Sequence, residues 1–130
     1  MSSDKPLQLT LSRLPGRWAV CRLPPGDPLP PRLPDGFWSI TRTPFELSLV
    51  IPEEVAPDGY PLETGFAAFI VAGPLDFAWT GILADLTGAL AEAGISVFAV
   101  STFDTDVLLV REDRVEEAVA AWTGRGHVVG

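Results

Sequence analysis

Six consecutive residues, STFDTD at positions 101–106, carry more chemistry than a turn requires. They combine hydroxyls, two carboxylates and an aromatic ring, whereas one or two polar residues suffice to reverse a chain. A carboxylate binds an ammonium or guanidinium group, hydroxyls form hydrogen bonds, and an aromatic ring stacks on a flat cation. The segment therefore predicts a binding site for the cationic end of a small molecule, with Phe103 and Asp106 as its main contacts.

The same residues also have purely structural interpretations, which the sequence leaves open. As a turn aspartate, Asp106 would accept hydrogen bonds from the amides of the turn itself. Phe103 would pack in the hydrophobic core. Thr80, which precedes the first helix predicted in this half of the chain, would only cap that helix.

Two strands must position the turn. Within Ile95–Arg111, the runs SVFAV and VLLV lie on either side of it and are rich in β-branched and aromatic residues. Such residues suit a pleated surface, so both runs are predicted to be buried strands.

A helix is predicted before this hairpin and another after it. Residues 80–93 carry apolar side chains three and four positions apart, and Gly94 follows as an expected C-terminal stop. The second helix is predicted around Val115–Trp122, with Asp113 as its cap. Strand candidates at 65–71 and 127–129 complete the order βαββαβ, the ferredoxin-like plan.

The start of the first helix is the second half of the predicted site. A helix N-terminus presents free N–H groups and a positive partial charge, which suit a carboxylate. The segment Asp76 to Leu83 leads into it, and Gly81 allows close approach of the backbone. An amino acid has both a carboxylate and an ammonium group, so it would match this helix end and the turn.

The first half of the chain resembles the second. Residues 37–55 align with residues 97–115 at an offset of 60, with matching apolar positions and polar turns, TRTPFE and STFDTD. The segment PPGDPLPPRLPDG takes the place of the first helix, and its six prolines exclude one. We therefore predict two related modules, residues 1–64 and 65–130, the first of them degenerate. Their open sheets have edges that need cover, so a homodimer is expected.

Composition excludes several classes of partner. The net charge is −8 and the pI about 4.4, with no basic stripe, so no nucleic acid is expected. Cys21 is the only cysteine, which excludes an internal disulfide and any cysteine-rich metal site. The N-terminus lacks the apolar core of a signal peptide, and no apolar stretch approaches the roughly 20 residues needed to span a bilayer. We therefore expect no membrane partner and a cytoplasmic location.

Catalysis finds no support in the sequence. The motifs GxSxG, HExxH and CxxC and the P-loop pattern are missing from the chain. His127 is the only histidine, and its place beside the last strand suggests a surface residue at a sheet edge. The turn lacks the glycine and later glutamate of a calcium loop. We expect no enzymatic activity, no metal and no cofactor.

The segment LDFAWTGILADLTGALAEAGISVFAVSTFDTDVLLVRED resembles the ACT domains of the type found in the CASTOR arginine sensors and in small prokaryotic proteins. GFWSITRTPFELSLVIPEE resembles the segment that precedes that ACT domain. The resemblance covers roughly residues 7–129. It implies a tandem of two ACT modules, the first degenerate, with a small ligand bound where two ACT modules meet.

The resemblance also implies which residues hold the ligand. They are a Ser-Val pair at the start of a central strand, the turn residues, and the backbone before the first helix: Ser96 and Val97; Thr102, Phe103 and Asp106; Thr80, Gly81 and Ile82. The sensors have four modules in one chain, whereas this chain has two, so a homodimer would be needed to form the shared site. A second carboxylate that reads the ligand side chain in those sensors has no clear match here, so arginine is one candidate ligand among the amino acids.

The sequence thus predicts an α+β fold of tandem ferredoxin-like ACT modules, with antiparallel sheets and helices on one face. The predicted function is non-catalytic binding of an amino acid between modules of a homodimer. The alternative is a structural or protein-interaction module that binds no ligand and acts through its sheet edges.

Overall fold

A computed structural model describes residues 8–73 and 81–130. The chain divides into two compact units. We call Gly16–Phe66 the inserted unit, because it interrupts the C-terminal unit, which combines Met1–Pro15 with Ala67–Gly130. The predicted boundary at residues 64 and 65 lies close to one of these junctions, whereas the residues before Gly16 belong with the C-terminal unit.

The described residues form eight strands, two α-helices and two short 3-10 helices. In chain order they are β1 (Thr10–Arg13), β2 (Trp18–Leu23), β3 (Ser39–Arg42), β4 (Leu47–Pro52), the 3-10 helix Glu53–Val55, β5 (Leu62–Val71), α1 (Ile82–Glu92), β6 (Phe98–Ser101), β7 (Asp106–Arg111), the 3-10 helix Glu112–Arg114, α2 (Val115–Gly124) and β8 (Val128–Val129). Neither α1 nor α2 has the length and apolar character needed to cross a membrane.

The C-terminal unit contains the predicted order βαββαβ, from β5 to β8, and one additional strand. β7 pairs with β5 and with β6. β1 pairs antiparallel with β5 and parallel with β8, and so lies between them. β1 was not predicted, because a strand of four residues with one buried side chain, Leu11, shows no alternation of apolar and polar residues.

Helix α1 follows the predicted apolar spacing and is shorter than predicted. Its buried residues are three and four positions apart: Ile82, Leu86, Ala89 and Leu90. The predicted cap, Thr80, lies outside the described residues, and the N-cap position is Gly81. Gly94 ends the helix at φ 72°, a backbone conformation that favours glycine, while the Ile95 N–H donates to the Leu90 carbonyl at 2.9 Å.

Helix α2 closes the core of the C-terminal unit through Trp122. This side chain is fully buried, packs edge-on against Phe69 with ring centroids 5.1 Å apart, and donates from Nε1 to the Leu86 carbonyl at 3.0 Å. The predicted cap of α2 was wrong, because Arg114 occupies the N-cap position and Asp113 lies in the preceding 3-10 helix.

The two strands of the hairpin differ in burial, contrary to the prediction that both are buried. The first five residues of β7 are buried. In β6, by contrast, Phe98, Ala99 and Ser101 are exposed and Val100 is half-buried. Among the described strands β6 pairs only with β7, so its second edge has no strand beside it. An apolar sequence alone does not distinguish such an edge strand from a buried one.

The inserted unit is a small antiparallel sheet. β4 pairs with both β2 and β3, and β2 also pairs with the first half of β5. Its core consists of Cys21, Leu23, Leu47, Leu49 and Ile51. No helix forms between β2 and β3, as the prolines there predict. Arg42 secures this segment through hydrogen bonds to the carbonyls of Pro25 and Asp27.

The hairpins β3–β4 and β6–β7 share one geometry, at an offset of 59 rather than the predicted 60. β3 starts at Ser39 and β6 at Phe98, while β4 starts at Leu47 and β7 at Asp106, so each start differs by 59. In both hairpins four residues separate the last cross-strand pair, which is Arg42–Leu47 in one and Ser101–Asp106 in the other. A shift of one residue exchanges the faces of a strand, so the corrected offset changes which side chains correspond.

Candidate functional site

The turn of the second hairpin is held by its own two threonines. The Thr102 N–H donates to the Thr105 carbonyl at 2.8 Å, and the Thr105 N–H donates to Thr102 Oγ1 at 3.2 Å. Thr43 and Glu46 form the same two bonds in the first hairpin, at 2.9 and 3.1 Å. The amides of Thr102 and Thr105 therefore bond within the turn, and no bond from a turn amide to Asp106 is observed among the described residues.

Asp106 is the one buried aspartate of the described residues. It begins β7 opposite Ser101, is 9% exposed, and accepts a hydrogen bond on Oδ1 from Ser101 Oγ at 2.5 Å. No arginine or lysine in the described part of the chain forms an ion pair with it. Burying a carboxylate without a cationic partner costs free energy, so an aspartate at this position needs an explanation.

Phe103 lies at the tip of the turn and is 80% exposed, so it is not a core residue. A second bond fixes the turn against the sheet, since Thr105 Oγ1 donates to the Val71 carbonyl at 2.6 Å. Val71 is the last residue of β5, the strand that leads toward α1. The exposed ring and the buried carboxylate of Asp106 thus lie at the end of the sheet where β5 finishes.

At the start of α1, backbone groups rather than side chains are the groups that could contact a ligand. Gly81 has φ 82° and its carbonyl accepts the first helical hydrogen bond, from the Asp85 N–H at 2.8 Å. The Ile82 side chain is 7% exposed and belongs to the core, so only its N–H group can serve a ligand. The third predicted residue of this loop, Thr80, lies outside the described residues.

Ser96 and Val97 lie away from the turn. They precede β6, whose far end joins the turn, and the strand alone separates its two ends by about 10 Å. Ser96 is exposed, and Val97 is half-buried against the core of the C-terminal unit. Within one chain, Ser96 and Val97 therefore lie at one end of β6 and the predicted turn residues at the other.

A buried polar cluster that the sequence analysis missed joins α1 to the chain's C-terminal segment. His127 was expected at the surface, but it is 3% exposed. Its Nδ1 accepts from the Leu9 N–H at 3.0 Å, and its Nε2 lies 2.6 Å from Asp85 Oδ2. Arg125 Nη1 donates to Asp85 Oδ1 at 2.9 Å. Sequence spacing gave no signal, because the cluster joins residues about 40 or more positions apart.

This cluster has a structural role. Both ring nitrogens of His127 are occupied, so the ring has no lone pair to offer a substrate. Burial alone would raise the pKa of Asp85, but hydrogen bonds from His127 and Arg125 outweigh it and lower that pKa. The described residues contain no group of three histidine, cysteine or acidic side chains placed to hold a metal ion.

Comparison with known proteins gives two family-model matches and a similar solved structure. The ACT domain family model matches residues 62–122, and a model described as an N-terminal domain matches residues 16–59. The structure of protein Atu0741 from Agobacterium tumefaciens is 34% identical, with a TM-score of 0.89, over 95% of this chain and 93% of that one. The search of curated proteins returned no match.

Two more distant structures share the fold. A Vibrio cholerae protein of unknown function, VC0802, described as a possible transport protein, is 20% identical with a TM-score of 0.71, over 91% of this chain and 90% of that one. The regulatory subunit of aspartate kinase from Thermus thermophilus is 9% identical with a TM-score of 0.61, over 93% of this chain and 99% of that one. The described open sheet with two helices is consistent with the ferredoxin-like fold of ACT domains. The chain therefore belongs to the same family as Atu0741 from Agobacterium tumefaciens, and its residues 62–122 match the ACT domain.

Proposed function

We propose that this protein is a non-catalytic regulatory protein that binds an amino acid in its C-terminal unit. The observation that carries the proposal is Asp106, a carboxylate 9% exposed with no cationic partner among the described residues. A ligand's ammonium or guanidinium group would neutralise this charge and offset the cost of its burial. The exposed ring of Phe103 adjoins it in the turn and would stack on the same group.

The hairpin comparison supports a functional rather than a structural carboxylate. At the corrected offset, Asp106 corresponds to Leu47, which is fully buried in the core of the inserted unit. The fold therefore accepts leucine at this position, and an aspartate there needs another reason. Ligand binding would explain the aspartate, because residues at functional sites commonly differ from those that packing alone would favour.

The other end of the ligand would bind at the start of α1. The free N–H groups of a helix N-terminus suit a carboxylate, and Gly81 and Ile82 contribute them. We include Thr80 in this loop as in the sequence prediction. An amino acid bound in this way would have its carboxylate at the helix and its cationic group at Asp106, with arginine as one candidate.

A homodimer would complete the site. Ser96 and Val97 lie at one end of β6, while Thr102, Phe103 and Asp106 lie at or beyond the other. If two copies of β6 paired antiparallel about a two-fold axis, the start of one would adjoin the end of the other. Ser96 of the partner subunit would then approach the turn. The exposed edge and apolar residues of β6 support such pairing.

The regulatory role rests on fold analogy and on one thermodynamic condition. The Thermus thermophilus structure is the regulatory subunit of aspartate kinase, and it shares the fold over 93% of this chain. Ligand binding regulates a protein only if the ligand has different affinities for two states. We propose that the ligand stabilises the dimer, so that the two states are the separate chains and the dimer.

A thermal-shift screen with the twenty standard amino acids tests the proposal. A ligand that binds only the native state at 100 times its Kd stabilises it by about 2.7 kcal/mol. At about 3–5 °C per kcal/mol for a chain of this size, the expected rise in Tm is about 8–13 °C. If arginine gives the rise, citrulline should give none, because its side chain is uncharged.

The second candidate is a protein-interaction module without a ligand, which the exposed apolar edge of β6 favours. Both candidates predict a dimer, so oligomeric state does not separate them. They differ in the screen, because an interaction module would show no rise in Tm with any amino acid at millimolar concentration. A protein that light scattering finds strictly monomeric with and without ligand would contradict both.

A further inference from the structure

The residue opposite Asp106 has a role that the sequence analysis did not assign. Ser101 is the last residue of β6, and it faces Asp106 in the last cross-strand pair before the turn. Its hydroxyl donates to Asp106 Oδ1 at 2.5 Å, and no other hydrogen bond to that carboxylate is found within the described residues. Ser101 itself is exposed, so the pair extends from the surface to a buried charge.

From this geometry we infer that Ser101 is a positioning residue that orients the Asp106 carboxylate for the ligand's cationic group. The inference rests on the proposed function. A hydrogen bond to one carboxylate oxygen restricts the rotation of the group, and the second oxygen, Oδ2, has no hydrogen bond within the described residues and would accept one from the ligand. Preorganised polar groups bind more tightly because the ligand does not have to order them.

The first hairpin shows what the pair Ser101–Asp106 adds. Its equivalent pair is Arg42–Leu47, which provides neither the hydroxyl nor the carboxylate. The Arg42 guanidinium is already engaged, since it donates to the Pro25 carbonyl and, at 3.0 Å, to the Asp27 carbonyl. The same backbone turn thus serves a structural purpose in the inserted unit, and we infer one ligand site per chain.

Variants of Ser101 test this role directly. Removing one hydrogen bond that orients a charged group is expected to weaken binding about tenfold. Ser101→Ala should therefore raise the Kd about tenfold for the amino acid that gives the largest thermal shift with the wild-type protein. Ser101→Thr keeps the hydroxyl and should bind within about twofold of wild type. Arg42→Ala is the matched control in the other hairpin, and its Kd should equal that of wild type.

A double-mutant cycle separates positioning from a general structural effect. If Ser101 acts through the carboxylate, Ser101→Ala should have no further effect on Kd in an Asp106→Asn protein, since coupled residues are not additive. Isothermal titration calorimetry would measure all four Kd values and should give one ligand per chain. Because Asp106→Asn is expected to bind weakly, its titrations use millimolar ligand.

The outcomes distinguish this inference from the proposed function. If the wild-type protein binds and Asp106→Asn does not, but Ser101→Ala binds like wild type, the positioning role is wrong and the proposed function stands. If Ser101→Ala raises the Kd by the same factor in the wild-type and Asp106→Asn proteins, the positioning role is also wrong. A stoichiometry of two ligands per chain would contradict the inference of a single site. A wild-type protein that binds none of the twenty amino acids overturns both.

Discussion

Asp106→Leu is expected to make the protein more stable while it removes ligand binding. The substitution installs the residue that the first hairpin has at the equivalent position, Leu47, which is fully buried. The registers of the two hairpins agree, so a leucine side chain has a backbone environment already shown to accept it. Trading function against stability in this way is expected where a site departs from optimal packing.

The magnitude follows from three contributions. Burying a leucine side chain contributes about 1.5–3 kcal/mol relative to leaving it exposed. Removing a buried carboxylate eliminates its desolvation cost, while losing the bond from Ser101 costs about 1.5–3 kcal/mol. Ser101 is exposed and can bind water instead, so little of its bonding is left unsatisfied. The net expectation is a gain of about 1–2 kcal/mol, or about 3–10 °C in Tm.

Urea unfolding and calorimetry without ligand would measure this gain. The reciprocal variant, Leu47→Asp, is the matched control, and it should lose at least about 3 kcal/mol because it places a charge in a closed core. If Asp106→Leu loses more than about 1 kcal/mol of stability, the carboxylate is a structural requirement of the C-terminal unit. Its presence would then be explained by stability and would give no support to a ligand site.

Three further variants test other parts of the structure. Asp85→Asn should lower the free energy of unfolding at neutral pH. Hydrogen bonds from His127 and Arg125 hold the Asp85 pKa below its ordinary 3.8, so the extra stability of the wild-type protein is present above about pH 4 and decreases as the pH falls through the lower folded pKa. Urea unfolding at several pH values would measure this difference in stability. An advantage that grows as pH falls would contradict this sign. Phe98→Lys, on the exposed face of β6, should convert a dimer to monomer in light scattering and leave the far-ultraviolet circular dichroism unchanged; an unaltered dimer would exclude pairing through β6. Trp122→Ala should cost about 3–5 kcal/mol in urea unfolding, since it leaves a cavity beside Phe69, and a cost below 1 kcal/mol would contradict the described core.

Local patterns predicted the elements of the second half well. The spacing of apolar residues located α1, and Gly94 marked its end, because helix periodicity and a left-handed C-terminal residue are both local properties. The prolines between β2 and β3 correctly excluded a helix, since their effect is also local. Local sequence patterns do not indicate contacts between segments that are distant in the chain, so β1 and the cluster around His127 were not predicted.

The burial of β6 and the hairpin offset show a second limit. Apolar residues predict a strand but do not say whether its edge is paired within the chain, left exposed or covered by a partner. The offset of 60 was chosen to match apolar letters, whereas the structure aligns backbone register and turn hydrogen bonds at 59. Only the corrected offset reveals that Asp106 replaces a core leucine and that Ser101 corresponds to Arg42.

Calorimetric titration of two matched variants tests whether the Asp106 carboxylate binds the cationic group of an amino acid. Asp106→Asn and Asp104→Asn remove the same charge two positions apart, but only Asp106 is buried beside Ser101, whereas Asp104 is exposed. Asp104→Asn should keep the wild-type Kd within about threefold, while Asp106→Asn should weaken binding by about a hundredfold, as expected for about 3 kcal/mol from a charge-assisted bond. Equal Kd values for Asp106→Asn and the wild-type protein would contradict the claim.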